Sequence, residues 1–335
     1  MKVDASIRTS PPTVAAEEAQ RIEAEGYDGA FTLEGSHDPF LPLVAAAEAT
    51  KSVQLYTAVA IAFARNPMIL ANIGYDLQLF SEGRFMLGLG SQIRTHIEKR
   101  FNMPWSEPAR RMREFVLAIR AIWASWETGE RLNYRGDIYQ NTLMTPFANP
   151  GPNPFGTPPI ILAGVGPRMT EVAAEVGDGF ILHPFNSIRS VRELTFPALQ
   201  RGAAKAGKTL EGYEVAAQVL VALGANAEEV ARAKRTIKDR IAFYGSTPAY
   251  RPVLDLEGRG DLQEELNAMT KRGEWAEMGS RVPDDVAESI AVIGTPDEVA
   301  AQLKERYDGF ATRICPSFAI EPSPGAIDAM VRGLR

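Results

Sequence analysis

Short, nearly continuous apolar runs alternate with longer amphipathic ones along almost the whole chain, and this change of period restricts the fold more than any other feature. The runs "VDASI" (3–7), "YDGAFTL" (27–33), "VQLYTAVAI" (53–61), "FMLGLG" (85–90), "PIILAGVG" (159–166), "DGFILHP" (178–184), "YEVAAQVLVALG" (213–224) and "ATRICPSF" (311–318) read as strands. Their composition suits a parallel sheet covered on both faces. Between them, 13–26, 41–50, 66–81, 110–126, 169–177, 195–207 and 295–307 carry helical spacing. Eight strands in this alternation predict a closed (β/α)8 TIM barrel, an α/β fold, rather than an open doubly wound sheet. The chain from 1 to 335 is read as a single barrel domain. An inserted helical region at 245–290 accounts for a connection too long for an ordinary loop.

Composition bounds the function. At 45% apolar and 23% charged, the 335 residues suffice for a large globular core. A net charge of −6 offers no overall attraction for nucleic acid or an anionic membrane. The single cysteine, Cys315, excludes an intrachain disulfide, and His37, His96 and His183 lack metal-ligand spacing, so no metal site is expected. No apolar run approaches the roughly 20 residues of a membrane helix, and "MKVDASI" is no signal peptide, so a cytoplasmic location is expected.

In a barrel of this kind ligands bind where the carboxyl ends of the strands converge. That rule brings together "LEGSHD" (33–38), "TAVAIAFARNP" (57–67), "GSQIRTHIEKRF" (90–101) and "AGVGPR" (163–168). The amides of Gly164, Val165 and Gly166, a helix start and Arg168 are suited to a phosphate, or else form a tight structural turn. Glu34, His37 and Asp38 make either a proton-handling wall, with His37 and Glu34 as candidate catalytic residues, or an ordinary polar turn. His96, on a basic edge, either touches an anionic cofactor or starts a solvated helix. Phe63, Phe101, Trp105 and Phe185 are candidate walls for a planar ligand. Met86 and Leu87 read as core, and Cys315 as buried structure or passive lining. No Cys-His or GxSxG pattern supports covalent hydrolysis.

The ordered combination of "TAVAIAFARNP", "GRFMLGLGSQIRTHIEKRF", "RMREFVLAIRAIW" and "AGVGPRMTEVAAEVGDGF" resembles the bacterial luciferase-like flavin and deazaflavin oxidoreductases, and looks closest to a branch that uses coenzyme F420. The resemblance spans roughly residues 3 to 318. It implies a barrel holding the planar ring at the strand ends, with a non-proline cis peptide between Ala58 and Val59. It also implies that Gly164, Val165, Gly166 and Arg168 surround the cofactor phosphate and that His37 and Ser91 approach the ring or substrate. Ile93 stands where some deazaflavin sugar-phosphate dehydrogenases carry an acid, which argues against their substrate. The implied reaction is hydride transfer to or from a small organic substrate by a homodimer. An FMN-dependent luciferase-like monooxygenase and a non-catalytic flavin-binding barrel are the alternatives.

Overall fold

The computed structural model describes residues 1–7, 11–323 and 325–335. Eight parallel strands close on themselves: β1 (Lys2–Ser6), β2 (Gly29–Thr32), β3 (Gln54–Thr57), β4 (Phe85–Gly90), β5 (Ile160–Ala163), β6 (Gly179–Leu182), β7 (Glu214–Leu223) and β8 (Arg313–Phe318). Each pairs with the next, and closure comes from Lys2 beside Arg313 and Val3 beside Ile314. The eightfold alternation read from the sequence is therefore a closed barrel. Seven helices follow strands β1 to β7 around its outside: α1 (Ala15–Ala24), α2 (Leu41–Ala49), α3 (Pro67–Phe80), α4 (Pro108–Thr128), α5 (Pro167–Val176), α6 (Phe196–Lys205) and α7 (Pro296–Tyr307). The last helix, α8 (Ala326–Leu334), follows β8 and packs on α7.

Local chemistry places the helix starts. At α3 the Asn66 side chain accepts from the Ile69 amide at 3.0 Å, and Pro67 opens the first turn, where its missing N–H costs nothing. At α7 the Glu298 carboxylate reaches back to the Thr295 amide at 2.8 Å, one arm of a capping box. Helix α4 ends at Gly129, whose φ of 73° suits a residue without Cβ. Along α4, Trp123 and Trp126 are buried against the outer layer, and Trp123 Nε1 donates to the Ala71 carbonyl at 3.0 Å.

The barrel interior is filled rather than open. Phe31, Tyr56, Met86, Ile161, Ile181, Ala216 and Cys315 form its apolar packing. Beneath them, toward the strand starts, lies a buried ion pair: Arg313 Nη1 donates to Asp4 Oδ2 at 2.7 Å, and Tyr56 Oη donates to the same oxygen at 2.6 Å. Arg313 also reaches Glu214 at 2.6 Å and the Gln54 amide oxygen. Cys315 is buried, with its thiol pushed up by that burial, which leaves it no thiolate for nucleophilic work.

Between β7 and α7, helix Ala227–Gly245 leads into the segment 245–290, which folds as helices Arg251–Leu256, Gly260–Arg272 and Asp284–Ile290. These helices share a separate apolar cluster with Phe185 and the Leu220 face of β7, so the insert sits over one side of the barrel mouth. The connection 134–159 carries a small hairpin, Tyr134–Arg135 against Gln140–Asn141.

At the opposite end, Glu23 ties α1 to the turn before β3. Partial burial raises its carboxyl, but the amides of Ser52, Lys51 and Val53 and the Ser52 hydroxyl more than offset this and hold it down to about 2. A lowered carboxylate contributes stability above its unfolded value of 4.5 and loses it as pH falls toward 2. Glu23→Gln should therefore be less stable than the parent at pH 7, with the difference shrinking between pH 5 and 2. Urea midpoints across that range check it, and a constant difference would contradict it.

Candidate functional site

The site is made where β3 breaks off beside β4. Past Thr57 the chain turns through Ala58 and Val59, whose peptide is cis as the family resemblance implied, and resumes pairing with β4 at Ala60–Ile61. Two glycines of β4 allow this. A Cβ on Gly88 would lie 1.6 Å from the Thr57 carbonyl oxygen, and one on Gly90 would lie 2.6 Å from Val59 Cγ2. The Thr57 hydroxyl locks the two chains, donating to the Gly88 carbonyl at 2.6 Å and accepting from its amide at 3.0 Å. Gln218, pointing inward from β7, donates to the Ala58 carbonyl at 3.3 Å.

Above this junction lies a cavity of about 1030 Å³, at the upper end for a small-molecule site. Its walls come from the carboxyl ends of successive strands: Ala58 and Val59 after β3, Ser91 after β4, Gly164 after β5, His183 after β6 and Gln218 on β7. The buried lining residues Ala58, Ile181 and Met169 are apolar, whereas Arg94, Glu107, Arg110 and Arg168 are all exposed, at the rim. Trp105 contributes an aromatic wall. It packs edge-on against buried Phe63, with ring centroids 5.8 Å apart. Arg111 lies over Phe63 at 4.4 Å and donates to the Pro104 carbonyl at 2.6 Å, which pins the excursion that carries Trp105.

One end of the cavity is built for negative charge. Helix α5 begins there with Gly166 at φ 81°, Pro167 at the first turn and no side chain capping its amides. Arg168 is exposed beside it. Arg94 is paired with Glu98 and Arg110 with Glu107, but among the described residues Arg168 has no carboxylate partner. Free amides, the helix field and an uncommitted guanidinium together favour a phosphate.

Seven of the cofactor-contact residues read from the sequence line this cavity: Ala58, Val59, Ser91, Gly164, Val165, Gly166 and Arg168. Three further site residues do not. His96 is exposed on the short helix Arg94–Lys99 and is not part of the cavity wall, which Ser91 to Arg94 line. Glu34 spends its carboxylate on the Ile61 amide at 2.6 Å and on Arg65 at 2.7 Å, so it braces the β3 break. His37 is half-buried on the β2–α2 turn and is not part of the cavity wall. Of the candidate aromatics, Trp105 alone lines it.

The residues that sequence reasoning missed are Gln218, His183 and Tyr250, all in the wall. His183 Nδ1 accepts from the Phe185 amide at 3.1 Å, and its Nε2 lies 3.0 Å from Tyr250 Oη. Burial pushes the imidazole down to about 4 and the phenol up to about 12. Tyr250 comes from the start of the insert, where no local pattern marks it. His183 directly follows the sixth strand, and the strand-end rule itself was signal enough to single it out. Among the described residues no helix is long and apolar enough to cross a membrane, and no group of three or more His, Cys, Asp or Glu side chains is placed to hold a metal ion.

Comparison with known proteins agrees with this geometry. The model of the family described as luciferase-like monooxygenase matches residues 2–313. An uncharacterized protein of Mycobacterium bovis is 48% identical over 335 residues, covering 100% of this chain and 98% of its own. The F420-dependent glucose-6-phosphate dehydrogenase of Amycolatopsis mediterranei is 27% identical, covering 91% and 88%. Among solved structures, the coenzyme F420 dependent tetrahydromethanopterin reductase of Methanopyrus kandleri superposes with a TM-score of 0.80 at 18% identity, over 99% of this chain and 97% of that one. Matched by that family model along nearly all its length, the chain belongs to the luciferase-like monooxygenase family of oxidoreductases.

Proposed function

We propose that the protein is a coenzyme F420-dependent oxidoreductase that transfers a hydride to or from a small organic substrate. The observation that carries this reading is the cavity itself, with apolar walls at Ala58, Val59, Trp105 and Ile181 and an anion end at Gly164–Arg168. Those residues fit a planar ring joined to a phosphate. When bound, the deazaflavin supplies the two-electron chemistry that no side chain here provides. The protein's part is to seat the ring against Val59, hold the phosphate at the α5 amides and keep water out of the apolar interior. F420 dependence of the Amycolatopsis relative supports this choice of cofactor.

An FMN-dependent monooxygenase is the second reading. The family's own description favours it, and the α5 cradle suits the FMN phosphate equally. Oxygen separates the two. Under strict anaerobiosis, hydride transfer between reduced coenzyme F420 and a substrate continues at its aerobic rate, whereas monooxygenation stops. Bleaching or recovery of the deazaflavin absorbance follows the reaction, and a strict requirement for oxygen would overturn the first reading. A barrel that binds the cofactor without turnover would show neither behaviour.

Arg168→Ala tests the anion end. A hydrogen bond to a charged group contributes about 1.5–3 kcal/mol, and an exposed guanidinium falls at the low end. The Kd for the cofactor is therefore expected to rise about tenfold, with a weaker dependence on salt. Titration at two ionic strengths checks this, and an unchanged Kd would remove Arg168 from the site.

A further inference from the structure

Among the polar groups of the cavity wall, His183 and Tyr250 form a pair whose orientation is fixed from outside it. The Phe185 amide can only donate, so His183 Nδ1 is the acceptor and the neutral ring carries its hydrogen on Nε2. Nε2–H then donates to Tyr250 Oη across 3.0 Å. The phenol's own hydrogen is left over, and among the described residues no other group bonds that hydroxyl. Packing holds the pair in place: the two rings stack at 4.5 Å and 21°, Tyr244 meets His183 edge-on at 4.9 Å, and Phe185 lies 5.6 Å from Tyr250. The result is a hydroxyl donor held at the cavity wall.

We propose that Tyr250 is the catalytic proton donor of this site, that His183 is its positioning residue, and that the substrate is a small uncharged carbonyl or enone compound whose oxygen takes the proton. This rests on the deazaflavin reading above. An uncharged substrate follows from the lining, because the charged side chains stand at the exposed rim while Ala58, Ile181 and Met169 offer a buried charge no partner. An oxygen acceptor follows from the one hydrogen that the phenol has left to donate.

The step balances. A bound reduced deazaflavin would supply a hydride from one of its C–H bonds to form a new C–H bond at the carbonyl carbon, or at the β-carbon of an enone. The displaced π pair moves to oxygen, which takes the Tyr250 proton as the Oη–H bond breaks. The cofactor is oxidised and the substrate reduced by two electrons. His183 keeps its proton throughout and donates Nε2–H to the phenolate until water reprotonates it. An alkoxide is more basic than a phenolate, so for a carbonyl the transfer runs downhill. An enolate oxygen is close to a phenolate in basicity, so for an enone the proton is shared nearly evenly, and the enol that forms tautomerises to the ketone.

The groups facing the phenol are His183 from the end of β6 and Tyr244 from helix Ala227–Gly245, and Arg240 on that helix acts on Tyr244. With the phenol near 12 and the imidazole near 4, the pair is neutral through the working range. Reduction should therefore be flat with pH up to the alkaline limit. Oxidation of the matching alcohol needs the phenolate and should rise about tenfold per pH unit below that limit.

The test uses the whole protein, its Tyr250→Phe variant and cyclohexenone as the probe. Phenylalanine keeps the stacking surface and removes only Oη. Deazaflavin Kd should be unchanged, while kcat for enone reduction falls about 10²- to 10⁴-fold, the usual worth of a general acid. With oxidised cofactor bound, the infrared carbonyl band of the enone should lie lower in the parent than in Tyr250→Phe. His183→Ala should broaden that band and lower kcat with KM little changed. A Tyr250→Phe enzyme within about tenfold of the parent kcat would overturn the assignment. So would a parent that binds deazaflavin yet neither shifts the band nor reduces the enone. A parent that fails to bind deazaflavin would sink the cofactor reading instead, and this assignment with it.

Discussion

Gly88→Ala is expected to abolish folding or to cost about 4 kcal/mol or more, the extreme of the range for single substitutions. The new methyl would sit 1.6 Å from the Thr57 carbonyl oxygen, which is backbone and cannot rotate aside. Relief requires β3 and β4 to separate, and that breaks the paired hydrogen bonds between Thr57 and Gly88. Gly90→Ala provides the contrast. Its methyl meets Val59 Cγ2 at 2.6 Å, the end of a side chain that faces the cavity. A shift of Val59 relieves it at about 1–2 kcal/mol, but the wall that would seat the ring is displaced. Soluble yield and urea midpoints rank the two variants, and equal stability of Gly88→Ala and the parent would contradict the close approach.

Arg313→Met should destabilise by about 3–5 kcal/mol, the cost of breaking a buried ion pair from one side. Arg313 and Asp4 are both fully buried, and Asp4 Oδ1 already lacks a hydrogen-bond partner. Burial pushes the Asp4 carboxyl upward, and Arg313 is the chief group opposing it. Without the guanidinium, Asp4 is left with Tyr56 and the Cys315 thiol, too little to hold a charge. The loss should be greater at pH 8 than at pH 5, because the carboxyl must stay protonated to remain buried. Adding Asp4→Leu removes the stranded acid and should recover a large part of the stability. Chemical denaturation of the two variants beside the parent checks this, and no recovery in the double variant would contradict it.

The barrel was legible because each strand is a compact apolar run and each helix has its own period. "AGVGPR" was legible as a strand end beside a helix start, and the structure puts Gly164, Val165, Gly166 and Arg168 in the cavity wall. The role of "GRFMLGLGSQ" needed the structure. Two glycines in a strand signal a close approach, but only the pairing shows that Gly88 admits Thr57 and Gly90 admits Val59. Glu34 and His37 looked like a proton-handling wall because both follow β2, yet Arg65, 31 residues away, claims the carboxylate. Tyr250 is reached across 67 residues from His183, a contact that no local pattern encodes.

The central claim is a deazaflavin site, and the most direct measurement is equilibrium titration of cofactor-free protein with coenzyme F420 and, separately, with FMN, by matched fluorescence and calorimetry. Saturable one-to-one binding of coenzyme F420, tighter than FMN and weakened in Arg168→Ala, is the predicted result. Preference for FMN, or binding of neither by the folded protein, would contradict it.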